Sequence, residues 1–544
     1  MTRDVDVFIA GGGLAGLTLA RQLRQAQPAL RIAVAEKRTH PAPEAAHKVG
    51  ESSVEIGAHY FGRILGLEPH LKSGHLPKLG LRYHFPSGEN RDVSQRFELG
   101  PTSFPVVPSY QLDRGRLENF LVDENRAAGI EVLDQAIVKQ LDLGAPHRVE
   151  VTARDGRHDF TARWLVDATG RSGLMRRRLG LTRPVGHLAN ACWFRLRRCV
   201  RIDEWSEDPT WRAHVASGQR WHSTTHLIGR GYWVWLIPLG SGGISIGIVV
   251  DEKLHPWHRL NRFERAMEWL HEFEPQCAQY MERERDQVED FLALRHYAHG
   301  CAQVFSTDRW LLTGEAGVFT DPFYSPGSDF IAISNELITD VILRDRCGED
   351  VSERIEQHNR HYLRLFDAFL RLYEGQYPLM GNAQVMTAKA AWDNACYWAV
   401  PALLYFQRRM ADVALVASLD LEMRRFFLLH ARMQTFLRRW DEVDQSRYAA
   451  GYTNIMSVAE LKRLQHQLSA PPMDDTALRA TVVENVALLE RFARSLQQVA
   501  AVDDPALPAL LPRLEAEGTL DISALIVPRR SSACGEPAAF ATPL

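Results

Sequence analysis

The glycine-rich segment near the N-terminus constrains the fold of this chain more than any other feature. Residues 5–10 (VDVFIA) form a short apolar run, and residues 11–26 (GGGLAGLTLARQLRQA) follow at once with the apolar spacing of a helix. A second apolar run, residues 31–37 (RIAVAEK), completes a strand–helix–strand unit. The sequence therefore predicts a βαβ unit at the start of an α/β chain.

The spacing of the glycines in this unit predicts a dinucleotide-binding site. Gly11, Gly13 and Gly16 form GxGxxG, which permits a tight turn and a close approach of the backbone to a pyrophosphate at the positive end of a helix. Glu36 ends the second run and can accept a hydrogen bond from a ribose hydroxyl. The predicted cofactor residues in this unit are Gly11, Gly13, Leu14, Ala15, Gly16 and Glu36.

Two later segments favour FAD over NAD as the dinucleotide. Residues 164–171 (WLVDATGR) form an apolar strand ending in Asp-Ala-Thr-Gly, and residues 310–330 (WLLTGEAGVFTDPFYSPGSDF) combine a strand, a Gly-acid turn and a proline-bracketed loop that opens a helix. In this order the segments resemble the FAD-dependent monooxygenase and halogenase superfamily. The resemblance implies that the first contacts the adenosine side of FAD and the second the ribityl chain and isoalloxazine; an NAD dehydrogenase with unrelated loops is the alternative.

The same resemblance implies further cofactor residues. Residues 47–66 (HKVGESSVEIGAHYFGRILG) are similar to the segment beside the flavin, and Arg114 matches a flavin-contacting arginine, although a surface arginine at a helix start is an equal alternative. The residues implied in this way are Lys48, Glu51, Arg114, Asp167, Gly170, Glu315 and Gly327.

The hexapeptide WVWLIP at residues 233–238 makes the resemblance more specific. Trp233 and Trp235 project to one side of an extended strand, and Pro238 ends the pairing. The hexapeptide matches WxWxIP, a signature of flavin-dependent halogenases, and the resemblance extends over about residues 5–345. In that family the indoles separate the flavin from the substrate pocket and so suppress direct hydroxylation. A tryptophan pair packed in a β core is the alternative.

Lys78, in GHLPKLGLRYHFPSG, is the predicted catalytic residue. The family's catalytic lysine lies one short helix and loop after the flavin segment, as Lys78 does. In the family that lysine holds the hypohalous acid made from reduced flavin, O2 and halide, either through a hydrogen bond or as a haloamine. Without the resemblance, a lone lysine is most often a solvated surface group. Burial would lower its pKa and favour the neutral amine.

The loop DPFYSPGSDF departs from the family pattern in two ways. Tyr324 stands where tryptophan-specific halogenases have a glutamate, so free tryptophan is an unexpected substrate. The family's halide site uses the backbone N–H groups of the two residues after Ser325, and Pro326 has no N–H. Gly327, with Ser328, is then left to donate, and weak halide binding is expected. The predicted substrate and halide residues are Trp233, Trp235, Tyr324, Ser325, Gly327 and Ser328.

Composition describes an ordinary globular enzyme without a metal or nucleic-acid site. A net charge of −3 creates no global field that attracts nucleic acid, and the 7 cysteines are scattered without CxxC, which favours reduced thiols and no metal. The N-terminus lacks signal-peptide features and no run is long enough to span a membrane, so a cytoplasmic location is expected. The arginine runs at residues 176–178 and 195–201 are typical of solvated faces, and are the best candidates for contact with an acidic carrier protein.

The expected fold class is α/β: a Rossmann-like FAD-binding domain of the aromatic-hydroxylase type, with an antiparallel β-sheet substrate region and a C-terminal helical region. The C-terminal helices are expected to pack together; covering the substrate mouth or receiving a carrier domain is the alternative role. The predicted segments are residues 1–185 and 291–345 for FAD binding, 186–290 for the sheet, 346–527 for the helices and 528–544 for a disordered tail.

The predicted function is that of a two-component halogenase. It would use reduced FAD from a separate flavin reductase, O2 and halide to halogenate an electron-rich phenolic, pyrrolic or indolic substrate, free or on a carrier protein. Two alternatives stay open: an FAD-dependent monooxygenase or oxidoreductase on the same fold without halogenation, and a flavin-binding assembly partner without catalysis.

Overall fold

The computed structural model describes residues 2–44 and 49–530, so Lys48 and most of the predicted tail lie outside the described residues. The strands are β1 (Thr2–Ala10), β2 (Ile32–Ala35), β3 (Leu76–Pro77), β4 (Leu81–His84), β5 (Phe97–Leu99), β6 (Tyr110–Gln111), β7 (Glu131–Leu133), β8 (Ile137–Asp142), β9 (His147–Ala153), β10 (Gly156–Asp167), β11 (Thr182–Arg183), β12 (Ala189–Leu196), β13 (Thr224–Gly229), β14 (Tyr232–Pro238), β15 (Ile244–Asp251), β16 (Val288–Leu294), β17 (Gly300–Cys301), β18 (Trp310–Leu312) and β19 (Gly451–Thr453). The α-helices are α1 (Leu14–Ala26), α2 (Glu55–His59), α3 (Glu68–Gly74), α4 (Arg114–Ala127), α5 (Leu174–Arg178), α6 (Pro209–Ala213), α7 (Phe263–Phe273), α8 (Pro275–Arg283), α9 (Gly327–Arg346), α10 (Ser352–Arg371), α11 (Ala383–Tyr397), α12 (Leu403–Phe406), α13 (Val413–Ser418), α14 (Asp420–Val443), α15 (Ala459–His466) and α16 (Asp475–Ala500).

The first sheet brings the ends of four parallel strands to one edge. Its order is β7-β2-β1-β10-β9-β8, and β18 pairs with β10. Ala10 lies opposite both Ala35 and Asp167, and Asp167 lies opposite Leu312, so β1, β2, β10 and β18 end side by side. Ligands of open α/β sheets bind at such carboxyl ends. The predicted glycine turn, Glu36 and the Asp-Ala-Thr-Gly turn therefore share one edge, and the predicted α/β fold with its helical region is confirmed.

The second sheet carries the tryptophan strand, in the order β16-β12-β15-β14-β13-β4-β5-β19. Strands β12 to β16 pair antiparallel, as the sequence predicted for this region. The sheet also includes β4, β5 and β19, which come from segments assigned to FAD binding and to the helices. These strands are only two to four pairs long in register, too short for an alternating pattern to reveal them. Strand β4 begins three residues after Lys78 and pairs with β13, which sets the position of Lys78 relative to the second sheet.

The C-terminal helices pack against the rest of the chain as part of one structure. Helix α11 is buried on all sides and continues through a π-helical segment, Trp398–Ala402, into α12. The Tyr397 hydroxyl donates to Asp329 Oδ2 at 2.9 Å, and Trp398 Nε1 donates to Glu55 Oε1 at 2.9 Å. Residues 528–530, the first of the predicted tail, are bonded to residues 447–449. No helix among the described residues is long and apolar enough to cross a membrane.

We expect Gly247→Ala to destabilise the protein because Gly247 makes room for the Trp235 indole. A Cβ at Gly247, which lies opposite Trp235 on the neighbouring strand, would overlap the six-membered ring of that indole. Overpacking of this kind costs about 1–3 kcal/mol. The matched control is Gly62→Ala, because a Cβ there meets its nearest neighbours only at 3.9 Å. A thermal midpoint lowered in Gly247→Ala but not in Gly62→Ala is the expected result, and equal midpoints would contradict it.

Candidate functional site

The glycine turn forms an open cradle at the start of α1. Gly11 has a φ of +109°, and a Cβ there would overlap the Ala168 carbonyl; a Cβ at Gly16 would overlap the Gly11 carbonyl. A Cβ at Gly13, the N-cap of α1, would meet no atom within 4 Å, so the space before it is free. The first N–H groups of the helix, at Leu14 and Ala15, have no partner inside the helix. This turn fits a dinucleotide pyrophosphate.

Glu36 lies beside the glycine turn, and its carboxylate already accepts two hydrogen bonds from backbone N–H groups. Its Oε2 accepts from Gly12 N at 2.8 Å and its Oε1 from Arg38 N at 2.8 Å. A carboxylate has about four lone-pair sites, so each oxygen can still accept a ribose hydroxyl. The position at the end of β2 agrees with the predicted ribose contact, which stays a prediction.

The Asp167 side chain accepts hydrogen bonds from the residues of the turn that follows it. Its Oδ1 accepts from Thr169 N at 2.9 Å and Oγ1 at 2.6 Å, and its Oδ2 accepts from Met175 N at 2.7 Å. Burial raises the pKa of the Asp167 carboxyl, and the hydrogen bonds from Thr169 and Met175 oppose this. Gly170 follows with a φ of +59° and open space around it. The Asp167 side chain therefore holds the loop that presents Gly170.

Arg114 is largely buried, which excludes the alternative of a surface arginine. Its Nη1 donates to Val49 O at 2.7 Å, and its Nη2 donates to Glu118 Oε1 at 2.7 Å. Burial lowers the pKa of Arg114 to about 10, opposed by the charges of Glu315 and Glu51. Burial likewise raises the pKa of Glu315, opposed by Arg171 and Arg114. Three predicted cofactor residues, Arg114, Glu51 and Glu315, are thus in electrostatic contact.

The prediction of a solvated arginine run at 195–201 is wrong for Arg195. Arg195 is 1% exposed within β12, and its Nε donates to Glu51 Oε1 at 2.8 Å while its Nη1 donates to Asp290 Oδ2 at 2.6 Å. Arg197 and Arg198 stay exposed. In the run 176–178, Arg176 is likewise buried. The charge run hid Arg195 because a buried arginine that pairs with acids from distant segments has the same sequence pattern as a solvated one.

Lys78 is buried and held by neutral groups. It is 1% exposed, and its Nζ donates to Ser52 Oγ and to Ser53 O, both at 2.8 Å. Burial lowers the pKa of Lys78 to about 7, and the charges of Glu55 and Asp329 partly oppose the shift. The shift favours the neutral amine, as expected from burial. The solvated lysine that residue type alone favours is excluded.

Trp233 and Trp235 lie buried on one face of β14. Their ring centroids are 5.6 Å apart, and the Trp233 ring also meets Phe323, at 5.2 Å, and His226, at 5.4 Å. Trp235 Nε1 donates to Ser245 Oγ at 3.1 Å. Each ring is fixed by packing and by a hydrogen bond, so the pair forms a rigid wall.

A buried carboxylate that the sequence did not reveal holds Trp233 in place. Trp233 Nε1 donates to Tyr377 Oη at 2.9 Å, and Tyr377 Oη donates to Asp321 Oδ2 at 2.7 Å. The Tyr297 hydroxyl donates to the same Oδ2, and His187 Nε2 lies 2.6 Å from it. These partners come from widely separated segments, so no local motif could have identified the network.

The proline-bracketed loop leads directly into α9. Ser325 has a φ of +59° and its N donates to Pro322 O at 2.8 Å. Pro326 caps the helix, and its carbonyl accepts from the N of both Asp329 and Phe330. Gly327 and Ser328 are the first helical residues, whose N–H groups have no partner inside the helix. The geometry therefore leaves these two donors for a halide, which stays a prediction.

A cavity next to this loop is lined by residues of α2, β4, α10, α11 and α14 as well as the loop itself. Leu81, Phe369 and Phe426 are among its apolar walls. Its acids are Glu55, Asp329 and Asp393, and no arginine or lysine is among the described residues that line it. The helical region thus supplies much of the cavity lining.

Hydrogen bonds satisfy the acids of the cavity. Tyr324 Oη donates to Asp393 Oδ2 at 2.9 Å, and Lys389 Nζ, behind the lining, donates to the same oxygen at 2.8 Å. Asp329 Oδ1 accepts from Gly57 N at 2.8 Å. Burial raises the pKa of Asp329 to about 7, opposed mainly by the hydrogen bonds it accepts. The cavity therefore suits an uncharged aromatic better than a carboxylate.

Comparison with known proteins agrees with this geometry. The family model of the FAD binding domain matches residues 4–245. Flavin-dependent halogenase chlA of Dictyostelium discoideum is 27% identical over 433 residues, 73% of this chain and 70% of the relative. A 1H-pyrrole-2-carbonyl peptidyl-carrier-protein chlorinase of Pseudomonas fluorescens is 25% identical over 390 residues, 66% of this chain and 80% of the relative.

A solved structure extends the similarity in fold to nearly the whole chain. The crystal structure of halogenase PltM in complex with phloroglucinol and FAD superimposes with a TM-score of 0.63 and 16% identity, covering 93% of this chain and 98% of that chain. The similarity therefore includes the helices that line the cavity. Together with the FAD-binding match, these comparisons make the chain similar to flavin-dependent halogenases in sequence and in fold.

Proposed function

We propose that the protein is an FAD-dependent halogenase that acts on an uncharged, electron-rich aromatic ring. The observation that carries the proposal is the buried Lys78 amine, which donates hydrogen bonds to Ser52 and Ser53. The next two residues in sequence, Val54 and Glu55, line the cavity. A monooxygenase has no evident need for a desolvated amine at this point. The mass of the product separates the two activities, because a halogenase adds halogen to the substrate and a monooxygenase adds oxygen.

The cofactor residues have defined tasks in this proposal. Gly11, Gly13 and Gly16 would receive the pyrophosphate, Glu36 the ribose, and the N–H groups of the α9 start the halide. A separate flavin reductase would supply reduced FAD, which would provide hypohalous acid from O2 and halide. The wall of Trp233 and Trp235 keeps the organic substrate away from the flavin, so that only the small oxidant passes.

Lys78 transfers the halogen to the ring. Its neutral amine attacks the halogen of hypohalous acid, which forms an N–halogen bond and releases water. A carbon of the aromatic ring then attacks that halogen, the ring loses a proton, and the amine is restored. Holding the electrophile at one point converts a diffusing oxidant into a positioned one.

The cavity defines the substrate by charge. Without a cationic side chain in its described lining, a substrate carboxylate would be buried unpaired, at high cost. Free tryptophan is therefore excluded in this proposal. A neutral phenol, pyrrole or indole fits, either free, as phloroglucinol is in the PltM structure, or on a carrier protein, as in the P. fluorescens chlorinase.

We expect Gly13→Val to lose FAD, because its side chain would occupy the space in front of α1 that the pyrophosphate needs. The measurement is FAD absorbance per mole of purified protein, with Gly62→Ala as the control. A variant that purifies with a full complement of FAD would show that the glycine turn does not bind the pyrophosphate.

We expect Lys78→Met to lose halogenated product by about 100-fold or more while the reoxidation of reduced FAD stays near the wild-type rate. The exposed Lys72→Met is the control. Because the neutral amine reacts and its pKa is about 7, product per flavin turnover in the wild type should rise through pH 7 and then level off.

Two results would contradict this role for Lys78. A yield that falls above pH 7 would assign the work to the ammonium form. Slowed flavin reoxidation with retained halogenation in Lys78→Met would move Lys78 to the oxidation step.

We expect Tyr377→Phe to loosen the tryptophan wall, because it removes both the acceptor of Trp233 Nε1 and a donor to Asp321. Hydroxylated product should form, and an unsatisfied buried group should cost about 1–3 kcal/mol. Tyr373→Phe is the matched control, since the buried Tyr373 hydroxyl has no partner among the described residues. Product mass and thermal midpoint measure both effects; equal behaviour of the two variants would show that the network does not support the wall.

A further inference from the structure

A chain of buried hydrogen bonds leads away from the Lys78 amine. Lys78 Nζ donates to Ser52 Oγ at 2.8 Å, and Ser52 Oγ lies 2.8 Å from Thr224 Oγ1. Thr224 Oγ1 in turn lies 3.1 Å from Oε1 and 2.9 Å from Nε2 of Gln111. All of these side chains are buried, so each polar atom in the chain depends on its neighbours for a partner.

The amide of Gln111 sets the direction of the chain. The His222 carbonyl oxygen, which can only accept, lies 3.4 Å from Gln111 Nε2, so the nitrogen of the amide faces it. Gln111 Oε1 is then a buried acceptor, and its donor among the described residues is the Thr224 hydroxyl. Because a buried acceptor without a donor is costly, the Thr224 hydrogen points to Gln111.

The direction at Gln111 determines the direction at Lys78. With its own hydrogen directed to Gln111, Thr224 Oγ1 accepts the Ser52 hydrogen. Ser52 Oγ then accepts one N–H of the Lys78 amine, and Ser53 O accepts another at 2.8 Å. A neutral amine has two N–H groups and one lone pair. Both N–H groups are therefore used, and the lone pair stays free.

The opposite direction would block the same lone pair. If the Thr224 hydrogen turned to Ser52, the Ser52 hydrogen would be displaced toward Lys78 Nζ. A neutral amine accepts such a hydrogen bond through its lone pair, which is the electron pair that attacks the halogen of hypohalous acid in the proposed function. Thr224 and Gln111 therefore act on the nucleophile through Ser52.

We propose that Thr224 and Gln111 are positioning residues, which direct the Ser52 hydroxyl away from Lys78 and so keep the lone pair of the amine free for the halogen. The proposal rests on the proposed function for the role of Lys78 as the halogen carrier. Thr224 begins β13 and Gln111 ends β6, so these two strands hold the chain that orients the amine.

The charged surroundings of Lys78 are separate from this chain. Among the described residues, the titratable groups that act on Lys78 are Glu55 of α2, Asp329 of α9 and His226 of β13. The two acids oppose the effect of burial on the pKa of Lys78, and burial lowers the pKa of His226 to about 3, which keeps it neutral near pH 7. Because substitutions at Thr224 and Gln111 remove none of these groups, a change in the titration of Lys78 reports on the hydrogen bonds.

Two substitutions release the Ser52 hydroxyl. Thr224→Val removes the oxygen to which Ser52 donates, and Gln111→Leu removes the acceptor that holds the Thr224 hydrogen. In either variant the Ser52 hydrogen turns to the lone pair of Lys78, and either variant decides the question where the other fails to retain FAD. Thr224→Ser keeps the hydroxyl. Thr225→Val is the matched control, because it makes the same change one residue later, on the opposite face of β13.

The first measurement is halogenated product per flavin turnover against pH, with resorcinol and bromide as probes. We expect Thr224→Val and Gln111→Leu to lower the plateau yield by about tenfold, the value of one hydrogen bond. The rise of the yield should move down by about one pH unit, because a hydrogen bond to the lone pair stabilises the neutral amine and lowers the pKa of Lys78. Less product from a more neutral amine is the signature of a blocked lone pair.

The second measurement is the titration of Lys78 itself. Carbon NMR of the oxidised, FAD-loaded protein labelled at the Cε of lysine follows it, and Lys78→Met assigns the signal. The midpoint should fall by about one pH unit in Thr224→Val and Gln111→Leu and stay near the wild-type value in Thr224→Ser and Thr225→Val. FAD content and thermal midpoint check each variant.

A double variant separates the direction of the hydroxyl from packing. With Ser52→Ala already present, no hydroxyl remains that can turn to the amine. Adding Thr224→Val should then change the yield by less than about twofold and leave the midpoint of Lys78 where Ser52→Ala puts it. Damage to packing would instead add to the effect of Ser52→Ala.

Other results overturn the proposal. An unchanged yield in Thr224→Val and Gln111→Leu, or a loss that persists in the Ser52→Ala background, would show that the chain does not free the lone pair. A midpoint of Lys78 that rises or stays constant in both variants would show that Ser52 keeps its direction without Thr224 and Gln111.

The proposed function fails separately from the positioning role. If the wild type gives no halogenated product with reduced FAD, O2 and bromide, while the midpoint of Lys78 falls in both variants but not further in the Ser52→Ala background, the hydrogen-bond chain stands and the halogenation does not. If halogenation proceeds and neither variant changes the midpoint, halogenation stands and the positioning role does not.

Discussion

The Lys78 amine is buried without a carboxylate in ion-pair contact among the described residues, and this constraint organises the site. An unpaired buried ammonium is expensive, and the group responds by losing its proton near pH 7. The two hydrogen bonds that hold it come from Ser52 and Ser53, directly after Glu51. Glu51 is also paired with Arg195 of β12. Hydrogen bonds therefore link Lys78, residues 51–53 and the second sheet.

The second constraint is that the lining of the cavity comes from distant parts of the chain. Helix α2, strand β4 and the loop of residues 321–328 supply some of it, and the C-terminal helices supply residues such as Asp393 and His430. The Asp393–Lys389 pair lies within α11, so the charge of the acid is neutralised inside the helix that carries it. A buried ion pair adds little net stability, but removing one partner leaves an uncompensated charge. The ion pair therefore keeps Asp393 as a polar group in the cavity lining, where the Tyr324 hydroxyl donates to it.

The sequence predicted the parts of the site that depend on local pattern. The glycine turn, the strand of Trp233 and the start of α9 are each encoded within a few residues, and their positions follow from strand periodicity and helix caps. The burial of Arg195 was missed because its partners, Glu51 and Asp290, are far away in sequence.

The same reason hid the Asp321 network. Apolar periodicity predicts that a helix such as α14 has a buried face, but it does not say against which segment that face packs. Lys78 occupies an intermediate position: the resemblance identified it, and only the three-dimensional packing explains its lowered pKa. Short strands such as β4 follow from pairing with an existing sheet, since they carry no pattern of their own.

One short loop, residues 321–328, connects three parts of the candidate site. Asp321 at its start holds Trp233 through Tyr377, Tyr324 in its middle lines the cavity, and its end opens α9 at the predicted halide donors. Phe323 lies between the wall and the cavity, with its ring centroid 5.2 Å from that of Trp233 and 4.8 Å from that of Tyr324. The contacts that position Trp233 and Tyr324 therefore share one backbone segment. In the proposed function, this shared loop would couple substrate binding to the separation of the substrate from the flavin.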